Sequence, residues 1–257
     1  MGSKKVVLAY SGGLDTSYCL KYLKNEKGYE VHTVLINTGG FDDAELKAIE
    51  DRAYELGSAK HANLTILDKY YDKAIKYLIY GNVLKNNTYP LSVSAERVFQ
   101  AIEAIKYAKS VGAEAIAHGS TGAGNDQIRF DLIFQTIAPE IEIITPIRDL
   151  KLSRQEEVDY LSKNGVHYSW EKAQYSINKG LWGTSVGGKE TLTSSQPLPS
   201  DAYPSQLQKE GEEKVTLEFE KGELIAVNGQ KDKPSNNIVA LEKLANAYAI
   251  GRDIHVG

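Results

Sequence analysis

Cysteine is almost absent: Cys19 stands alone among 257 residues, so no internal disulfide can form. No apolar run approaches the roughly 20 residues that a membrane-crossing helix requires, and the longest stretches are broken by Lys, Glu or Gly. Histidine is sparse and dispersed. His32, His61, His118, His167 and His255 include no pair three or four apart and no companion cysteines, which argues against a zinc site and reads as surface or packing histidine. Charge of one sign is not in excess either: a net charge of -4 with a pI near 5.8 gives no global pull toward nucleic acid or an anionic membrane surface. Internal repeats and low-complexity tracts are missing. The first residues run directly into a strand pattern instead of a cleavable apolar segment, and together with the lone cysteine this reads as a soluble, cytoplasmic protein.

What is present is enough for a substantial core, with 42% hydrophobic and 25% charged residues in one large domain or two small ones. Lys4 to Tyr10 is a short Val-rich apolar run of the kind buried in a parallel sheet. Past Ser11-Gly12-Gly13, the residues Leu14, Cys19, Leu20 and Leu23 recur at near-helical spacing, and Gly28 follows as a stop. The rhythm repeats with a strand over Glu30 to Asn37, a helix over Asp42 to Leu56 closed by Gly57, and a strand over His61 to Leu67. Helices are expected over Ala95 to Val111, Asp126 to Ile137 and Ser153 to Lys163, the last with Ser153 and Glu156 spaced as a capping box. Strands are expected over Glu114 to His118 and Ile141 to Ile144. Strands alternating with helices imply an α/β fold with a doubly wound parallel sheet. Near Gly165 the rhythm changes, and from Trp170 to Ser205 no period survives. Residues 1–165 are therefore expected to form a nucleotide-binding domain and 166–257 part of a second, α+β domain. That second part contains a β-hairpin from Lys214 to Phe219 and Glu223 to Asn228, then a helix from about Asn237 to Ala249.

The most informative stretch is Ala9-Tyr10-Ser11-Gly12-Gly13-Leu14-Asp15-Thr16-Ser17, placed after the first strand and at a helix start, where a parallel sheet holds its ligand. Glycines let backbone approach an anion, free amides and the helix dipole favour negative charge, and the hydroxyls of Ser11, Thr16 and Ser17 add donors. No Lys-Ser or Lys-Thr follows the glycines, so this is not a Walker A loop, and the third glycine of the dinucleotide fingerprint is missing. The plain alternative is a turn with Asp15 or Ser17 capping the helix. Cys19 lies one turn further on and reads as core packing. A second glycine loop, Gly119-Ser120-Thr121-Gly122-Ala123-Gly124-Asn125-Asp126-Gln127-Ile128-Arg129-Phe130, follows the strand ending at His118 and is expected to face the first. It carries a hydroxyl, an amide, a carboxylate and a guanidinium, enough to hold a zwitterionic amino acid by both ends.

The order Ser-Gly-Gly-x-Asp-Thr resembles the pyrophosphate loop of the ATP pyrophosphatase superfamily, whose members release AMP and pyrophosphate. The two motifs AYSGGLDTS and HGSTGAGNDQIRF together resemble argininosuccinate synthases. That resemblance implies an adenine nucleotide α hydrolase-like fold and a ligase of arginine biosynthesis that activates citrulline as its adenylate and lets the aspartate amine displace AMP. It assigns Ala9 through Ser17 to ATP, with Ile36 meeting the adenine through its backbone and His118 and Gly119 adding further contacts. Citrulline falls to Tyr89, Ser94, Asn125, Arg129, Ser176 and Ser185, and aspartate to Thr121, Asn125, Asp126 and Arg97. For any one of these serines or tyrosines, a turn hydroxyl or a helix cap is the competing role. After Ser176 the family usually has an acidic residue, whereas this chain reads Ile177-Asn178-Lys179.

Urea-type oxygen is a weak nucleophile, so alignment and charge neutralisation matter more than a strong acid or base, and no catalytic His is required. Mg2+ bridging the phosphates is expected because the loop lacks a lysine; Asp15 and Asp126 are its candidate neighbours, with no ligands assigned. The family continues well past Gly257, and its missing part supplies further citrulline contacts and a helix used in homotetramer assembly. Impaired turnover of this chain is therefore the expectation. Two alternatives stay open: a nucleotide-binding module without full activity, and another ATP pyrophosphatase ligase, such as a tRNA-thiolating or ammonia-using enzyme. Cys19 alone is a poor candidate for thiolation.

Overall fold

The computed structural model describes residues 3–122, 124–168, 175–193 and 195–255, with the side chains of Lys189 and Leu192 also left undescribed. Ala123 of the second glycine loop and Trp170 at the expected change of rhythm lie outside the described residues. The chain divides into two compact units, one of residues 1–37, 41–65 and 96–171, the other of 38–40, 66–95 and 172–257. The segment 66–95 thus groups with the C-terminal part.

The first unit opens with β1 (Lys5–Ala9), α1 (Leu14–Asn25), β2 (Glu30–Asn37), α2 (Asp43–Leu56) and β3 (Lys60–Thr65). In the second unit follow α3 (Leu67–Tyr70), a π turn over Tyr71–Ile75, and α4 (Lys76–Tyr80). Then come α5 (Ser92–Ser110), β4 (Ala115–Ala117), α6 (Asp126–Ile137), β5 (Glu142–Ile144), α7 (Pro146–Leu150) and α8 (Arg154–Lys163). All pairings in the five-stranded sheet are parallel, in the order β3-β2-β1-β4-β5.

Strand residues alternate between faces. Val6 and Leu8 of β1, Val31 and Leu35 of β2, and Ala115 and Ala117 of β4 join one core cluster with Leu14, Cys19, Leu20 and Leu23 of α1, Leu46, Ile49, Ala53 and Leu56 of α2, and Leu161 of α8. The intervening Val7, Val34, Ile36 and Ile116 point the other way and are buried too. A sheet buried on both faces explains why these strands read as continuous apolar runs. Local signals set the helix ends. Asp42 and Glu45 form a capping box at the start of α2, Gly57 closes it in the left-handed conformation, and Ser153 with Glu156 caps α8 as the spacing predicts.

Some boundaries differ from the sequence expectations. β3 stops at Thr65 because Leu67 already begins α3, and the unassigned stretch after it is helical through Tyr80. α5 begins three residues early, at Ser92, because the Tyr89 hydroxyl accepts hydrogen bonds from the backbone N–H groups of Val93 (3.1 Å) and Ser94 (3.3 Å). Where no period was visible, β6 (Ser176–Gly180) and β7 (Gly183–Gly187) form an antiparallel hairpin. Its Ser, Asn, Lys and Gly content conceals the alternation that marks a half-buried strand. The second unit also holds β8 (Leu217–Glu220), β9 (Glu223–Val227), β10 (Gln230–Lys231) and α9 (Pro234–Ala247). The predicted β8–β9 hairpin forms around Lys221-Gly222, although ladder pairing starts at Leu217 and not at Lys214. α9 starts earlier than Asn237 because Pro234 suits the first helical turn, and the buried Asn237 amide donates to the carbonyls of Leu224 (3.0 Å) and Asp232 (2.9 Å).

Candidate nucleotide and amino-acid site

The strand order reverses direction between β1 and β4, so the loops leaving their C-terminal ends flank the crevice in which such sheets bind ligands. Both glycine loops emerge there. Gly119 lies so near the start of α1 that a Cβ on it would sit 3.2 Å from Thr16 Cγ2 and 3.3 Å from the Asp15 backbone carbonyl carbon. The two motifs, more than a hundred residues apart in the chain, are packed against each other.

In the first loop, Gly12 takes φ of 75°, a left-handed conformation open to glycine at no steric cost, and is buried under Ile49 of α2. Gly13 is exposed and extended, and it precedes α1 without a side-chain cap. Among the described residues, no acceptor pairs with the backbone amides of Gly13 through Thr16, the usual orphan donors of a helix start. Asp15 and Thr16 are half-buried and Ser11 is exposed, its hydroxyl 3.3 Å from that of Thr16. Ser17, also proposed from sequence as a phosphate donor, is fully buried, with its hydroxyl close to that of the buried Tyr10. Burial pushes the Tyr10 phenol up to about 12. Arg52 of α2 donates from Nη1 to the Gly12 carbonyl at 2.7 Å, with its guanidinium 4.6 Å from the Tyr168 ring centre.

Beneath this loop sits a carboxyl that the sequence reading missed. Glu157 of α8 is buried, with Oε2 unpartnered among the described residues. Burial, then the charge of Asp15 and a hydrogen bond with it, push Glu157 up to about 8. Cys19 is buried as expected, and burial, with Asp15 and Glu157 adding, raises its thiol well above the ordinary value.

In the second loop, Thr121 and Asn125 are exposed and Asp126 opens α6. Asp126 is shared by two guanidiniums: Arg97 Nε donates to Oδ2 at 2.9 Å, and Arg129 Nη1 donates to Oδ1 at 2.7 Å. Arg97 Nη1 also reaches Gln100 Oε1 at 2.8 Å and the buried Glu96 at 3.3 Å. His118, fully buried, pairs through Nε2 with Asp131 Oδ1 at 2.9 Å, and Arg148 Nη1 donates to Asp131 Oδ2 at 2.6 Å. Burial alone would raise the Asp131 carboxyl, but the hydrogen bonds from His118 and Arg148 hold it below its ordinary value.

Of the remaining residues singled out by sequence, Tyr89, Ser94, Ser176 and Ser185 belong to the second unit and Ile36 to the first. Tyr89 and Ser94 meet at the start of α5, where the Tyr89 hydroxyl acts as a helix cap. Ser176 pairs with Gly187 and Ser185 with Asn178, so the two serines lie on one face of the β6–β7 hairpin. Ile36 is a buried β2 residue paired with Leu64. Of the groups that sequence missed, Glu157 left a signal, since it stands four residues before the buried Leu161 on the core stripe of α8. Nothing in sequence ties Arg52, Asp131 or Arg148 to the loops.

A parallel sheet with this strand order, bearing a glycine loop and a helix N-terminus after its first strand, defines an α/β nucleotide-binding domain of the HUP class. The family model described as the arginosuccinate synthase N-terminal HUP domain matches residues 5–167. The chain belongs to the argininosuccinate synthase family. It is similar to the argininosuccinate synthase of Methanocaldococcus jannaschii, 39% identical over 96% of this chain and 62% of that one. Similar too are those of Sulfolobus acidocaldarius, 38% identical over 98% of this chain and 64% of the relative, and Pyrobaculum aerophilum, 36% identical over 100% and 65%. The chain therefore spans just under two thirds of the length of the curated relatives it matches. No helix among the described residues is long and apolar enough to cross a membrane.

Proposed function

We propose that this chain carries the ATP site and the amino-acid loop of an argininosuccinate synthase, a ligase of arginine biosynthesis joining citrulline to aspartate. The observation that supports this reading is the packing of Gly119 on Asp15 and Thr16, which brings the two glycine loops side by side at the sheet's switch point. In this reading the unpaired amides of Gly13 through Thr16 and the hydroxyls of Ser11 and Thr16 hold the β and γ phosphates, and the end of β2 at Ile36 meets the adenine through its backbone. The citrulline ureido oxygen attacks the α phosphate and pyrophosphate leaves, giving a citrullyl-adenylate. The neutral amine of aspartate then attacks the ureido carbon, and AMP departs with the ureido oxygen.

Thr121, Asn125 and Asp126 are assigned to aspartate, and Asn125 and Arg129 to citrulline. The assignment of Tyr89, Ser94, Ser176 and Ser185 to citrulline rests on the sequence resemblance alone. Arg97 was expected to meet the aspartate carboxylate, and its bonds to Asp126, Glu96 and Gln100 make it better suited to orienting Asp126. A bound Mg2+ would supply charge neutralisation to the phosphates. Asp126, with both oxygens engaged by guanidiniums, is a poor ligand for it, so phosphate oxygens and water would hold the ion chiefly, beside Asp15. Cytoplasmic residence, and a homotetramer for the complete enzyme, belong to the same reading. Incubating the protein with ATP tests it: AMP should form only when citrulline is present, and argininosuccinate only when aspartate is added. ATP binding with no citrulline-dependent AMP would leave a nucleotide-binding module and remove the ligase.

A further inference from the structure

His118 ends the strand that leads into the second loop, yet its side chain faces away from solvent, 2% exposed, with its ring stacked on Phe130 at 5.4 Å between centres. Both ring nitrogens are used. Nδ1 accepts the backbone N–H of Ser120 at 3.2 Å, which requires that Nδ1 carry no proton, so the ring hydrogen sits on Nε2 and is donated to Asp131 at 2.9 Å. Asp131 accepts Arg148 on its other oxygen at 2.6 Å, the same Arg148 Nη1 reaches Gln127 Oε1 at 3.1 Å, and Gln127 Nε2 donates to the Gly122 carbonyl at 2.6 Å. One connected network therefore grips the loop twice, at the Ser120 amide and at the Gly122 carbonyl, either side of the exposed Thr121. Both grips converge on the Asp131–Arg148 pair.

We propose that His118 is a positioning residue for the amino-acid loop, held by Asp131 as the neutral Nε2-protonated tautomer, and that the two grips together fix where Thr121 is presented. With Nε2 engaged by Asp131 and Nδ1 by the Ser120 amide, the ring has no free nitrogen to offer a substrate proton, which leaves only the His118 backbone for the expected nucleotide contact. A carboxylate that orients a histidine through one nitrogen fixes what the other nitrogen can accept. The consequence for catalysis rests on the ligase reading above, whereas the tautomer and the loop clamp do not.

The test uses the full chain with nitrogen-labelled histidine. Near neutral pH, His118 should show one protonated nitrogen, Nε2, and one bare nitrogen, Nδ1; a ring protonated at Nδ1 or at both positions overturns the proposal. In Asp131→Asn, a near-isosteric change, hydrogen exchange at the Ser120 amide should speed up about tenfold, the loss of roughly one hydrogen bond. Gln127→Leu should free the Gly122 side while leaving the His118 tautomer unchanged, which keeps the proposal testable if Asp131→Asn folds poorly. In the ligase assay both variants should raise KM for aspartate more than they lower kcat. Unchanged exchange at Ser120 in Asp131→Asn would overturn the clamp. A correct tautomer and clamp in a protein that makes no citrulline-dependent AMP would overturn the ligase reading and leave this proposal standing.

Discussion

Arg97 Nε and Asp126 Oδ2 lie 2.9 Å apart, and the second oxygen of that carboxylate is taken by Arg129 at 2.7 Å. One acid thus fixes the direction of two guanidiniums at the start of α6. Arg97 is the more buried of the two, with 14% of its side chain exposed against 26% for Arg129. Arg97→Met should cost about 2–3 kcal/mol of stability, because it strips a partner from the buried Glu96 as well as from Asp126. Arg129→Met should cost under about 1 kcal/mol, as a more exposed pair does. Urea unfolding of the two variants measures this, and equal losses would refute the ranking.

Glu157 makes stability depend on pH in an unusual direction for a carboxyl. Its ordinary value is 4.5 and its folded value about 8, so between these the folded state holds a proton that the unfolded chain has released. Stability contributed by this group is complete below about 4.5 and declines as pH rises to 8, the reverse of a salt-bridged acid. Glu157→Gln should flatten that slope and melt several degrees above the parent protein at alkaline pH. Melting curves across the window decide it; a parallel pH profile for both proteins would show that Glu157 is ionised.

Gly119→Ala should weaken ATP binding about tenfold and cost about 1–3 kcal/mol, since the added methyl would press at 3.3 Å on the Asp15 backbone, which cannot swing aside as a side-chain tip can. Titration with ATP and a thermal melt give the two numbers. Full affinity in this variant would mean that the two loops are not held to this spacing.

Tyr89→Phe isolates one hydroxyl. It removes the acceptor for two helix-start amides and should cost about 1 kcal/mol, near the effect of losing a side-chain cap. Denaturant unfolding reports this directly, and a neutral substitution would indicate that water caps α5 equally well.

Much of the first unit was legible in the sequence because its signals are local. The Val-rich run before Ser11, the capping pairs Asp42/Glu45 and Ser153/Glu156, and the glycine stop at Gly57 act within a few residues and survive in the fold. The β6–β7 hairpin was hidden because its faces differ little in polarity, and the helix after β3 carried no cap that announced it. Both glycine loops and their proximity were readable from strand, glycine and helix order. The groups that hold those loops were not. Arg148 reaches Asp131 and Gln127 from another helix, and Arg52 reaches Gly12 across forty positions, contacts that only tertiary packing creates.

The Arg52 bond bears on how the first loop is aimed. Across a planar trans peptide the carbonyl of one residue and the N–H of the next point in opposite senses. By anchoring the Gly12 oxygen on the α2 side, Arg52 obliges the Gly13 hydrogen to project outward, and it prevents that peptide from rotating to show its oxygen to an incoming anion. In the proposed nucleotide reading, a side chain outside the loop thereby decides whether the loop turns a positive or a negative pole toward the phosphates.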